Sequence, residues 1–405
     1  MITWKPDMKE KIKDVLALFN KSGIWSRNLV LLAAAIFLLS LGTGLQNGVN
    51  TNFMQELGLS GSQVLLQAGI REIPGLGLMF IAALVMHLPL TWRAIVSVAV
   101  MGAGYALYAA VHSWTGLAVV SITASLGFHL WMPLNNSLGL GLASKENTGK
   151  VLGSLASIAA LASMAGIGSI MVLTQWFSLR VMAGIAGVLI IVAAVVLTRL
   201  PKNIGETTKN QPRLLFRWRY WLYYVLLLFE GSRTQVFSAF NIMVLVYNYN
   251  LSALQISFLL LTSGFVNFLL TPRIGLILDV LGERTILTVG YVALALCFVG
   301  YALVDNVWFL CVMVVFINLL VTLSIGLSTY VNRITPPEEL TPTLSTGVSV
   351  NHITSVGMSF LAGFLLPIVG YKVLCWGVVA IVLLSVPFTL AMRTQSLQLM
   401  TSEGG

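Results

Sequence analysis

The stretch Gly275-Leu-Ile-Leu-Asp279-Val-Leu-Gly282-Glu283-Arg284 places an acid pair, an arginine and two glycines between two long apolar runs, 252–277 and 285–304. Each run is about the 20 residues a helix needs to cross a bilayer. A short polar turn between two such runs reads as a hairpin of membrane helices. The rest of the chain repeats this pattern. Of its 405 residues, 57% are hydrophobic and only 9% charged, with a mean hydropathy of +0.90. A soluble domain carries roughly 25% charge, so this chain cannot cover a globular surface with polar groups, and it is too apolar to be disordered.

Working outward from the hairpin, twelve spans are expected: 28–53, 62–86, 93–112, 115–143, 148–175, 178–199, 219–248, 252–277, 285–304, 307–332, 342–369 and 372–392. The predicted fold class is an all-α polytopic membrane protein with two six-helix bundles, 28–200 and 219–393. A polar linker (201–218) joins them, and a tail (394–405) follows. Residues 1–27 alternate apolar side chains with Lys5, Lys9, Lys11 and Lys13, as a helix lying on an anionic leaflet would. No secretory signal is apparent.

The 23 lysines and arginines sort by side. In this topology 19 fall at the ends facing the linker, two (Arg180 and Lys372) at the opposite ends, and two (Arg71 and Arg233) inside spans. The positive-inside rule then places both termini in the cytoplasm, in the cell membrane. The net charge of +9 is a topology signal rather than a nucleic-acid footprint. Three cysteines in apolar runs make no disulfide framework. No Cys/His spacing suggests a metal, and no Gly-rich loop suggests a nucleotide. Neither enzyme chemistry nor a cofactor is expected.

The halves look related. Leu59-Ser60-x-x-Gln63 opens the second span and Leu251-Ser252-x-x-Gln255 the eighth, at an offset of 252 − 60 = 192 residues. Parallel repeats with a site between them near mid-membrane are a known transporter plan.

With that frame, the 275–284 stretch resembles the G-x-x-x-D-x-x-G-x-[RK] signature that the major facilitator superfamily carries between helices 8 and 9. The resemblance implies a secondary transporter working by alternating access as a monomer. It also implies gating roles: Asp279 pairs with Arg284 and caps a neighbouring helix, while Gly275 and Gly282 allow close packing and the turn. The first-half copy departs from the pattern, with His87 at the Asp position and Leu90 at the Gly position.

Ionisable groups within spans are costly and mark functional sites. Here they are Arg71, Glu72, His129, Glu230, Arg233 and His352, all near mid-membrane. Arg71 and Glu72 are adjacent, so they point about 100° apart and only one can face a cavity. Glu230 and Arg233 share a helix face. They read either as a self-neutralising pair or as a proton carrier beside an anion site. The expected substrate-binding set is Arg71, His129, Arg233, Gln46, Trp131, Asn135, Gln235 and His352, with Glu72 and Glu230 carrying the coupling proton. The leading expectation is a proton-coupled transporter of a small organic anion or zwitterion. The alternatives are a proton-antiporting exporter of lipophilic drugs or cations, and a non-transporting sensor or scaffold.

Overall fold

The computed structural model describes residues 25–78, 81, 85, 88–143, 148–202, 204 and 216–392. The expected amphipathic segment, most of the linker, the tail and His87 lie outside the described residues. Among the described residues there are twelve helical stretches and no strand. The first six are α1 (Arg27–Glu56), α2 (Gly61–Leu76), α3 (Leu90–Leu107, extended to Ala110 by a 3-10 turn), α4 (Trp114–Leu142), α5 (Thr148–Leu173) and α6 (Leu179–Leu197). The second half begins with α7 (Trp221–Tyr249). One helical run, Ala253–Leu303, breaks at Gly282 (φ 76°, ψ 158°) into α8 and α9. Next comes α10 (Val307–Ile334, with a 3-10 turn inside it). Another run, Pro337–Leu390, breaks at Gly370 (φ 74°, ψ 166°) into α11 and α12. Both breaks need a left-handed backbone, which glycine adopts without steric cost.

Helix ends differ from the predicted spans by a few residues, with two exceptions. The eleventh helix starts earlier than expected, with Pro337 in its first turn, where a missing N–H is harmless. The second is interrupted within 62–86, with helical conformation again at Leu78, Ile81 and Val85. Pro74 lies inside α2, which ends at Leu76 and turns at Gly77, because proline removes a ladder bond and crowds the preceding turn.

The 192-residue repeat proves to be a pair of identical helix starts. Ser60 Oγ accepts from the Gln63 N–H at 3.2 Å, and Gln63 Oε1 accepts from the Ser60 N–H at 2.8 Å. Ser252 and Gln255 do the same at 3.3 and 2.9 Å. These are capping boxes, each satisfying two otherwise unpaired donors. The repeat extends backwards: Gly58 (φ 83°) and Asn250 (φ 55°), also 192 apart, both take the left-handed conformation that turns the chain into the next helix.

Within the first half, helices approach closely through glycine. A Cβ on Gly44 in α1 would strike the Ser163 backbone of α5, and one on Gly166 in α5 would strike Leu41 and Leu45 of α1. One buried apolar cluster fills the linker end of the first half, around Leu32, Val98, Leu138 and Leu197. A second takes in the opposite end of the first half, around Phe53 and Leu59, and runs the length of the second half, from Phe240 and Val244 to Tyr223 and Val331. Large apolar side chains such as Val119, Leu296 and Trp308 remain exposed on the outside, where lipid replaces water.

The same opposite end carries hydrogen bonds between the halves. Asn52 Nδ2 donates to the Leu251 carbonyl at 2.8 Å, and Gln55 Nε2 to the Val246 carbonyl at 3.3 Å. Tyr247 Oη donates to the Leu59 carbonyl at 2.6 Å, and Ser62 Oγ to the Gly363 carbonyl at 2.5 Å. Every acceptor is a main-chain carbonyl, and donors come from both halves.

Candidate functional site

Below this seal, between the halves, lies a cavity of about 450 Å³, within the usual range for small-molecule sites. Its polar wall is built by Asn47, Asn50 and Thr51 of α1, Gln67 and Arg71 of α2, Tyr108, Ser121 of α4, Ser263 and Asn267 of α8, and Asn318 of α10. Helical spacing explains the selection. Positions 47, 50, 51 and 54 form one face of α1, and 64, 67, 68 and 71 one face of α2. Trp114 Nε1 donates to Gln67 Oε1 at 3.0 Å, which orients that amide, and Tyr108 Oη shares a 2.7 Å hydrogen bond with Ser121 Oγ. Arg71 is the one charged residue on this wall among the described residues, and its side chain is 37% exposed.

Glu72, one residue on, turns away from the cavity into the seam between the halves. It is 4% exposed. Its Oε1 lies 3.4 Å from the Arg71 guanidinium. Its Oε2 lies 3.5 Å from His129 Nε2 of α4 and 3.3 Å from His352 Nδ1 of α11. The two imidazoles meet edge to face with centroids 4.9 Å apart. Gly75 supplies the bare backbone against which both rings rest: a Cβ there would sit 2.8 Å from His352 Nδ1 and 3.0 Å from His129 Nε2.

Hydrogen bonding assigns the His129 tautomer. A carbonyl can only accept, so Nδ1, 2.9 Å from the Ser125 carbonyl, is the donor. Ser125 Oγ donates to the Arg71 carbonyl, so it too accepts from Nδ1, at 3.0 Å. In a neutral His129, Nε2 is therefore a bare lone pair facing a carboxylate oxygen. The three ligand atoms of Glu72, His129 and His352 lie within 4.8 Å of one another, near enough to hold a transition-metal ion. Reading Cys and His spacing along the chain missed this grouping, because its members are far apart in sequence.

The predicted site residues thus divide. Arg71, Glu72, His129 and His352 come together, with Arg71 on the cavity and Glu72 at the seam. Glu230 and Arg233 form a separate pair inside the second bundle. They are 6% and 4% exposed and in direct contact, and the guanidinium stacks 3.6 Å from the centroid of Tyr291 on α9. Neither reaches the cavity wall, contrary to the expectation of an anion site at Arg233. Trp131 packs in the apolar cluster of the first half, so its indole does not face a ligand. Gln46 is 1% exposed and Asn135 half-buried, and neither lines the cavity. For Gln46 the helical phase is off by one: its neighbour Asn47 faces inward. The side chains of Gln235, Gly275 and Asp279 lie outside the described residues. In the remaining gate, Gly282 makes the left-handed turn, and Glu283 forms an ion pair at 2.6 Å with Arg333 of α10. Sequence reasoning passed over Gln67, Asn267 and Asn318. Their signal was an uncharged amide inside a span, weaker than a charge but subject to the same need for a partner.

The family model described as Major Facilitator Superfamily matches residues 32–338 and 223–399. No curated protein sequence matches the chain. Among solved structures the fold is similar to the nucleoside transporter NupG, with a TM-score of 0.73 at 14% identity, covering 91% of this chain and 99% of that one. A D-xylose-proton symporter gives 0.71 at 13%, covering 91% and 98%. A bacterial homologue of the iron transporter ferroportin in an inward-facing state gives 0.72 at 16%, covering 90% and 98%. At these identities the likeness concerns the fold.

Proposed function

The chain belongs to the major facilitator superfamily of multi-pass membrane transporters, and from that premise we propose that it moves a small organic anion by alternating access, coupled to protons. The carrying observation is that Glu72 sits between Arg71, which lines the cavity, and two histidines contributed by different halves. Arg71 and Glu72 balance each other's charge. A proton taken up by the Glu72–His129–His352 group leaves one net positive charge, and a monoanion docking on Arg71 neutralises it. Substrate and proton then cross together as a neutral load, which avoids most of the cost of a net charge at mid-membrane. Because α2, α4 and α11 meet at this group, its occupancy also bears on whether the halves stay together.

With the halves tied at the end opposite the linker, substrate exchanges with the linker side. The charge bias makes that side the cytoplasm and the membrane the cell membrane. The transporter works as a monomer, since the site is complete within one chain.

Proteoliposome transport with an imposed pH gradient tests this reading. Glu72→Gln mimics the protonated state. It should keep exchange of substrate down its own gradient but lose accumulation driven by the pH gradient, and wild-type uptake should be insensitive to membrane potential. Full pH-driven accumulation by a folded Glu72→Gln protein would overturn the proton assignment. Arg71→Lys should weaken binding, since an ammonium does not reproduce the planar fork. Unchanged affinity there would remove the anion.

A further inference from the structure

From the cavity wall we infer that the transported anion is a polyhydroxylated monocarboxylate, a molecule of the sugar-acid type with one carboxylate and several hydroxyls. This rests on the proposed reading of Arg71 as the anion's partner and narrows it to one chemical class.

Three properties of the wall carry the inference. The first is its amide content. Asn47, Asn50 and Gln67 come from the first half, and Asn267 and Asn318 from the second, on either side of a single cation. A carboxamide both donates and accepts, and so does a hydroxyl. An alkyl carboxylate would satisfy Arg71 and leave these groups facing hydrocarbon. Two of them already lack partners: Gln67 Nε2, whose Oε1 is held by Trp114, and Asn267 Oδ1, whose Nδ2 points to the Asn318 carbonyl at 3.4 Å. In a membrane interior each such orphan is costly.

The second property is the missing anion. No acidic side chain is on the wall among the described residues, and Glu72 is turned into the seam. An ammonium would have no counter-charge, so a hydroxyl is favoured over an amine and the zwitterion recedes. The third is the shortage of aromatic surface. Tyr108 is the one aromatic residue on the described wall, and its hydroxyl is bonded to Ser121. A nucleobase or aromatic acid would find little to stack on. The volume, about 450 Å³, corresponds to about 15 waters, which suits a six-carbon acid.

The amides lie on both halves, so such a ligand touches both at once. That is what lets substrate bias the equilibrium between the two access states.

The test measures binding of three probes to the purified full chain in detergent: D-gluconate, hexanoate and D-glucose. Gluconate and hexanoate share the carboxylate, while gluconate and glucose share the hydroxyls. Gluconate should bind at least about 100-fold tighter than hexanoate, because a site built for hydroxyls rejects an analogue lacking them. Asn50→Ala should weaken gluconate about 5-fold, the loss of one hydrogen bond, and leave hexanoate unchanged. A melting curve confirms that the variant is folded, and Asn318→Ala serves as a second variant on the other half. Hexanoate binding as tightly as gluconate, or gluconate not binding at all, overturns the inferred class. Hexanoate matching gluconate with both lost in Arg71→Gln would leave the anion reading standing. Glucose matching gluconate, with both indifferent to Arg71→Gln, would sink the anion reading itself.

Discussion

Replacing Gly75 with alanine adds one carbon where two imidazoles already touch backbone. The new Cβ would lie 2.8 Å from His352 Nδ1, 2.9 Å from His352 Cε1 and 3.0 Å from His129 Nε2. Non-bonded carbon contacts are comfortable from roughly 3.5 Å, so each ring must retreat by about 0.5 Å or more. His129 is held by two contacts to Ser125, so movement is resisted and the strain is of the overpacking kind, about 1–3 kcal/mol. At about 2–4 °C per kcal/mol for a domain of some 200 residues, the melting temperature should fall by several degrees. The functional effect should be larger than the stability effect. Displacing both rings disturbs their contacts of 3.5 and 3.3 Å with the Glu72 carboxylate. Gly75→Ala proteoliposomes should therefore keep substrate counterflow and lose most accumulation driven by a pH gradient. The control is Gly77→Ala, two residues on, where an added Cβ meets Ile81 Cδ1 at an ordinary 3.5 Å. It should be close to wild type in both assays. A Gly75→Ala protein with wild-type pH dependence would refute the claim that ring placement sets coupling.

The seal offers a second test. Asn52→Ala and Tyr247→Phe each remove one hydrogen bond between the halves, worth about 1 kcal/mol or a roughly 5-fold shift toward the alternative access state. Together they should give about 25-fold if independent, measured as spin-label distances across that end; an unchanged distance distribution in the double variant would count against the seal. The Glu230–Arg233 pair is expected to be structural, because it is buried on Tyr291 and away from the cavity. Single neutral replacements should then cost about 3–5 kcal/mol, while Glu230→Met with Arg233→Met should restore both melting and pH-driven uptake. A stable double variant lacking uptake would return the pair to the transport pathway.

The helical fold was legible in the sequence because hydrocarbon allows few solutions, and apolar length sets the spans. The repeat was visible as a five-residue match, although its meaning as a capping box needed coordinates. The site was legible in parts. Arg71, Glu72, His129 and His352 stood out as expensive groups, but no local pattern could say that residues 129 and 352 meet, since that contact is made only when the bundles dock. The choice between Arg71 and Glu72 was equally closed, because helical phase fixes their divergence and not which one faces inward. Gln46 and Trp131 were read as cavity residues for their polarity or their setting. Helix rotation set the first, and packing against apolar neighbours set the second. Glu230 and Arg233 have the same spacing whether they serve a ligand or each other, and only Tyr291 separates the two cases.

The two corners at Leu59 and Leu251 have a consequence for how the seal tolerates substitution. Each offers its carbonyl to a donor from the opposite half, Tyr247 to the first and Asn52 to the second. An isologous interface pairs equivalent donors with equivalent acceptors across a twofold axis, whereas only the acceptors correspond in this case, since Tyr247 matches position 55 and Asn52 matches position 244. Here the halves are joined in one chain, and the left-handed residue, the leucine and the capping serine keep the same offset in both. The donors differ in position as well as in type, but their targets are peptide carbonyls, which no substitution can remove. Either leucine can therefore be exchanged without removing the acceptor that ties the halves together.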